Sequence, residues 1–83
     1  MPLERLKQAK KITIGTKQTM KAVEKGEALI VYIAKDADDR VVLPLLKACE
    51  ERVVEVMPVD TMLELGKASG IQVGAASVAI TGE

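Results

Sequence analysis

A chain of 83 residues, 48% of them hydrophobic, is one small domain able to bury a core, and with Tyr32 as sole aromatic that core must be aliphatic. No histidine is present and Cys49 is the single cysteine, so the commonest general base is missing and neither an intramolecular disulfide nor a multi-cysteine zinc site can form. Formal net charge is zero, which at first argues against nucleic acid. Yet residues 1–25 hold seven Lys or Arg against two Glu, and residues 36–64 hold eight acids against three bases. A chain polarised in this way can offer a basic face to an anion while staying neutral overall.

In chain order, Leu3 to Ala9 reads as a short helix and Ile12-Thr13-Ile14 as a brief strand ending at Gly15. Thr16 to Lys25 reads as a helix capped by Gly26, with Thr16, Met20 and Val23 toward the sheet. Ala28 to Ala34 is an unbroken apolar run, as in a strand buried on both faces. Asp36-Ala37-Asp38-Asp39 supplies caps for a helix from Val41 to Arg52, with Pro44 in its first turn and Cys49 on the core side. Glu55 to Val59 is a strand, and Thr61-Met62-Leu63-Glu64 has the capping-box pattern of a helix ending near Ser69 and Gly70. Ala75 to Thr81 closes as a strand. The alternation predicts an α/β fold, a three-layer α/β/α sandwich with a mixed four-stranded sheet.

Two features invite a ligand. Lys17, Lys21 and Lys25 fall within about an 80° arc of their helix, with Gln18 at its edge. Lys17, Gln18 and Lys21 project beside a helix N-terminus, where backbone N–H groups favour an anion, unless they are simply a solvated face. In Gly70-Ile71-Gln72-Val73-Gly74, two branched side chains stand between glycines. They either cover an unstacked base or fold inward as a tight turn. Lys35 either meets a ligand at the sheet edge or is solvated. Gly66-Lys67-Ala68-Ser69 lacks the earlier glycine and the preceding strand of a phosphate loop. Asp36, Asp38 and Asp39 read as helix caps rather than metal ligands. With no nucleophile and base to pair, the chain is read as not an enzyme and without cofactor or metal. The longest apolar run, residues 28–34, is too short to span a bilayer, and no secretory signal is visible at the N-terminus. A lone cysteine fits the cytoplasm.

Gly15-Thr16-Lys17-Gln18-Thr19-Met20-Lys21 resembles the Gly-x-Asn-Glu-x-x-Lys signature of the L-seven-Ae ribosomal protein family. Ile33-Ala34-Lys35-Asp36-Ala37-Asp38, Leu43-Pro44-Leu45-Leu46 and Leu65-Gly66-Lys67-Ala68-Ser69-Gly70-Ile71-Gln72-Val73 agree with it in order and spacing. The match is closest to small bacterial members of the YbxF type, in which Lys-Gln replaces Asn-Glu.

The resemblance implies an α/β/α sandwich that binds kink-turns, RNA duplexes bent sharply at a bulge flanked by tandem sheared G·A pairs. By similarity, Lys17, Gln18 and Lys21 would enter the groove at the G·A pairs, the backbone near Gly15 and Thr16 would meet phosphate, and Ile71-Gln72-Val73 would cover an extruded nucleotide. Lys35 is carried as a further candidate contact. The implied partner is a structured RNA, ribosomal or riboswitch RNA among them, with the ribosome a possible assembly, no membrane, and a monomeric protein. Alternatives are a constitutive large-subunit ribosomal protein using the same surface, or a protein–protein adaptor using the acidic 36–64 face. Met62 and Asp39 depart from the family pattern, standing where many members carry a lysine and a proline.

Overall fold

The computed structural model describes residues 3–83. Its elements are α1 (Glu4–Gln8), β1 (Lys11–Ile14), α2 (Thr16–Glu24), β2 (Ile30–Ala34), α3 (Asp39–Arg52), β3 (Val56–Val59), α4 (Met62–Ala68) and β4 (Ser77–Gly82). The sheet runs β1-β4-β2-β3, with β4 antiparallel to both its neighbours and β2 parallel to β3. Ile30-Val31-Tyr32-Ile33-Ala34 is buried throughout because β2 has a neighbour on each side and helices over both faces. The helix α2 packs on β1, β4 and α3, and α4 packs on β2, β3 and β4. The fold is thus the α/β sandwich with a mixed four-stranded sheet expected from the alternation of elements.

The core is aliphatic around Tyr32, whose hydroxyl burial pushes its pKa up while the charge of Arg5 opposes the shift. Cys49 is fully buried on α3 with Leu45 and Val42, and burial pushes its thiol up as well, as for an inert core residue. Arg5 ties α1 to the end of β4 through two hydrogen bonds to the Glu83 carboxylate, at 2.8 and 3.1 Å. At the β3 edge, Pro58 removes one N–H from the sheet, which discourages pairing with another strand.

The first two residues of the apolar run 28–34 lie outside β2, with Leu29 48% exposed, because the chain is still crossing from α2 to the sheet. The helix α3 starts at Asp39 rather than Val41. Pro44 is therefore beyond its first turn, on the exposed side. Asp38 caps α3 by accepting the Arg40 N–H at 2.8 Å, and the Arg40 guanidinium beside it holds its carboxyl below the usual range. Asp36, by contrast, accepts the Met62 N–H at 2.8 Å and so caps α4 across the molecule. In the same helix Thr61 Oγ1 accepts the Glu64 N–H at 3.1 Å, as the capping pattern predicts. Strand β4 begins at Ser77 rather than Ala75, since Ala75 and Ala76 belong to the turn leading into it.

Candidate nucleic-acid interface

The first part of the site is the junction of β1 and α2. Gly15 has φ 96° and ψ 151°, a conformation that side chains disfavour, and it lets the chain reverse directly from strand into helix. No side chain caps this helix. Its first-turn N–H groups are therefore left without a side-chain acceptor, the condition under which a helix start suits an anion such as phosphate. Lys17, Gln18 and Lys21 are exposed beside them and, among the described residues, the two lysines make no ion pair.

The sheet-facing side of α2 holds the three expected residues and is wider than expected. Val23 is fully buried, but Thr19 and Ala22 complete the stripe, and Thr16 and Met20 are only half-buried. Thr19 is tolerated in the core because its hydroxyl meets that of Thr13 at 3.0 Å, and Thr13 Oγ1 also accepts the Ala79 N–H at 3.3 Å. Thr16 faces the start of β4, as expected, where its hydroxyl meets that of the buried Ser77 at 2.9 Å.

The second part is the loop between α4 and β4. Gly70, at φ 88°, turns the chain out of the helix, and the Ile71 N–H returns to the Gly66 carbonyl at 3.0 Å while that of Gly70 returns to Lys67 at 3.1 Å. This is a Schellman ending. The loop then passes directly over α4: a Cβ on Gly66 would lie 1.9 Å from the Val73 carbonyl oxygen. The Ala75 N–H donates to the Met62 carbonyl at 3.0 Å, fixing the far end of the loop. Of the two branched residues in this loop, only Ile71 folds inward. Ile71 is half-buried and packs against the core, whereas Val73 is 67% exposed and Gln72 is exposed. Gly66-Lys67-Ala68 forms the end of α4, which excludes a phosphate-loop conformation there.

Ser77 joins the two parts. Its carbonyl accepts the Gly15 N–H at 2.9 Å and its hydroxyl bonds to Thr16, while the preceding Ala76 accepts the Ala34 N–H at 3.0 Å. The start of α2, the loop 71–76 and the end of β2 therefore lie at one end of the sheet as a connected unit. Nothing in the short stretch Ala75-Ala76-Ser77 marked this serine, because its role depends on a partner 61 residues away. Lys35 is at the same end and exposed, but its ammonium is 3.3 Å from the Asp60 carboxylate, which offsets its charge. Among the described residues no group of three His, Cys, Asp or Glu is placed to hold a metal ion.

Residues 2–83 match the model of the ribosomal protein L7Ae/L30e/S12e/Gadd45 family. The chain belongs to this family. Similar proteins include the RNA-binding protein YbxF of Geobacillus stearothermophilus, 51% identical over 80 residues, covering 96% of this chain and 98% of that protein. An RNA-binding protein of Bacillus pumilus is 45% identical over the same length, with the same coverage. Among solved structures, the 15.5kD RNA binding protein of Giardia lamblia superposes with a TM-score of 0.88 at 32% identity, covering 99% of this chain and 72% of that one. This family member thus has close bacterial relatives of the YbxF type.

Proposed function

We propose that this family member is an RNA-binding protein that recognises kink-turns and stabilises their bent form. The observation that carries the reading is the Ser77 linkage. It fixes an uncapped helix start bearing Lys17, Gln18 and Lys21 beside a loop that exposes Val73. Cationic and amide side chains suit the hydrogen-bonding edges of sheared pairs, while an exposed apolar side chain suits the face of an unstacked base. A regular A-form duplex offers neither, because its major groove is too narrow to enter and its bases are stacked. A duplex bent at a bulge offers both at once. The names of the relatives as RNA-binding proteins support the polymer class. The single aromatic residue disfavours a stacking platform.

Substituting Lys17, Gln18 or Lys21 singly by alanine is expected to weaken binding to a kink-turn RNA by roughly 1–3 kcal/mol each. Stability should change by less than about 0.5 kcal/mol, since all three side chains are exposed. Calorimetric titration alongside thermal melts separates the two effects. Unaltered binding by all three variants would move the site elsewhere on the molecule.

The loop predicts a contrast between its two branched residues. Val73→Ser should reduce RNA affinity by about 1 kcal/mol or more while leaving the melting temperature near that of the parent. Ile71→Ser should lower stability by about 1–2 kcal/mol, because part of its side chain packs on the core. Neither change should alter the salt dependence of binding, as no charge is removed. Equal stability losses in both variants would mean that Val73 is a packing residue.

A further inference from the structure

We infer that the RNA-contacting surface continues past the helix start as a lysine track, Lys17, Lys21, Lys25 and then Lys11, that follows the phosphates of one duplex arm. The inference rests on the kink-turn reading for its starting point and extends it along the molecule. Lys17, Lys21 and Lys25 recur every fourth residue on the solvent side of α2, each step rising about 6 Å along the axis. Glu24 stands three residues after Lys21, yet the two form no ion pair. The ion pairs among the described residues are Arg5–Glu83, Lys35–Asp60 and Arg40–Asp38. Each therefore couples a base elsewhere on the molecule to an acid, and none takes up a lysine of the track.

Lys11 extends the line because of how the chain returns. The helix α2 begins directly after β1 and packs back along it, so its C-terminal end comes level with the start of the strand. The Leu29 N–H donates to the Ile80 carbonyl at 2.8 Å, and Ile80 is paired with Ile12, the neighbour of Lys11. Thr13 faces α2 through its bond to Thr19, and Lys11 stands two residues before it, paired with Gly82 across a register shift in the β1–β4 ladder that skips Thr81. The stem of Lys11 is seated on Gly82. A Cβ at that glycine would meet Lys11 Cβ at 3.1 Å, Cγ at 3.3 Å and Cδ at 3.4 Å. A lysine whose methylenes are laid down and whose residue is exposed loses less freedom when its ammonium binds.

The track has the chemistry of a phosphate reader rather than of a protein-docking face. None of the large exposed hydrophobics is on α2: Val41 and Leu43 are on α3, Leu63 is on α4, Val53 follows α3, Leu29 precedes β2 and Val73 is in the loop after α4. A regularly spaced polyanion fits such a surface, and contacts of this kind add affinity without sequence preference.

The test uses the full chain and its Lys11→Met, Lys25→Gln double variant, which keeps the seat on Gly82. Each is titrated with two RNAs sharing one bulge and its sheared G·A pairs. One RNA carries an arm of about a full helical turn beyond those pairs, and the other is clipped beside them. The parent should bind the long-arm RNA roughly tenfold more tightly, and the double variant should lose that difference. On the long-arm RNA the slope of log affinity against log salt should fall by about two. Affinity for the clipped RNA should stay within about twofold. The track is overturned if the double variant binds both RNAs as the parent does, or loses equally on both. A parent that binds the long arm equally well with and without the bulge, and still weakens in the double variant, keeps the track and removes the kink-turn reading.

Discussion

Replacing Gly66 by alanine is expected to cost this protein about 2–3 kcal/mol, although the same change inside an ordinary helix would gain about 1 kcal/mol. The reason is local. The added methyl would sit 1.9 Å from the Val73 carbonyl oxygen and 3.0 Å from its carbon, both backbone atoms that cannot rotate aside. The helix cannot move away either, since Leu65 and Ala68 bury its other side in the core. The loop is held on both flanks, at Ile71 by the Gly66 carbonyl and at Ala75 by the Met62 carbonyl. Strain of that size should lower the melting temperature by roughly 10 °C or more for a domain of this length. If the loop yields instead, part of the stability is recovered, but Val73 leaves its position and RNA affinity falls. A Gly66→Ala protein that is more stable than the parent and binds RNA equally well would show that the loop does not lie across α4.

The elements were legible in the sequence because each carried its own local signal. Gly26 and Gly70 marked helix ends, Thr61 and the cluster Asp36-Ala37-Asp38-Asp39 marked helix starts, and the apolar run 28–34 marked a central strand, of which 30–34 is β2. Strand order was not legible in the same way. The last strand in the chain lies between the first and second, and no local pattern states that. The same limit governs the site. Lys17, Gln18 and Lys21 could be found from helical spacing and from resemblance, since exposure follows from periodicity. Ser77, the buried Thr19–Thr13 pair and the capping of α4 by Asp36 are hydrogen bonds between distant segments. A hydroxyl in an apolar stripe reads as a break in the pattern until its partner is known. The helix α3 ends at Arg52, as its periodicity predicts, and the left-handed conformation that follows falls on Val53, at φ 56°, where a glycine would ordinarily announce it.

The kink-turn reading makes a demand on free energy that can be measured directly. A free bulged duplex interconverts between an extended and a bent form, and the bent form brings phosphates close together. A protein that contacts only the bent geometry shifts this equilibrium by its difference in affinity for the two forms. Moving the bent population from about 1% to about 99% requires roughly 5.5 kcal/mol of preference. Three features can contribute to that total: the Lys17, Gln18 and Lys21 cluster, the uncapped start of α2, and the exposed Val73. Joined through Ser77, they would meet surfaces of the RNA that converge only in the bend, so an extended duplex can engage one of them at a time. This protein should therefore bend such an RNA in monovalent salt alone, seen as a rise in energy transfer between labels on the two arms. Replacing the sheared G·A pairs by Watson–Crick pairs should abolish the rise, because the groove edges read by Gln18 and the lysines are then gone. Weak residual binding through phosphate contacts should remain and should disappear as salt increases. If the altered duplex bends equally well, or the authentic one stays extended at saturating protein, the surface is a general basic face and the reading of a kink-specific site fails.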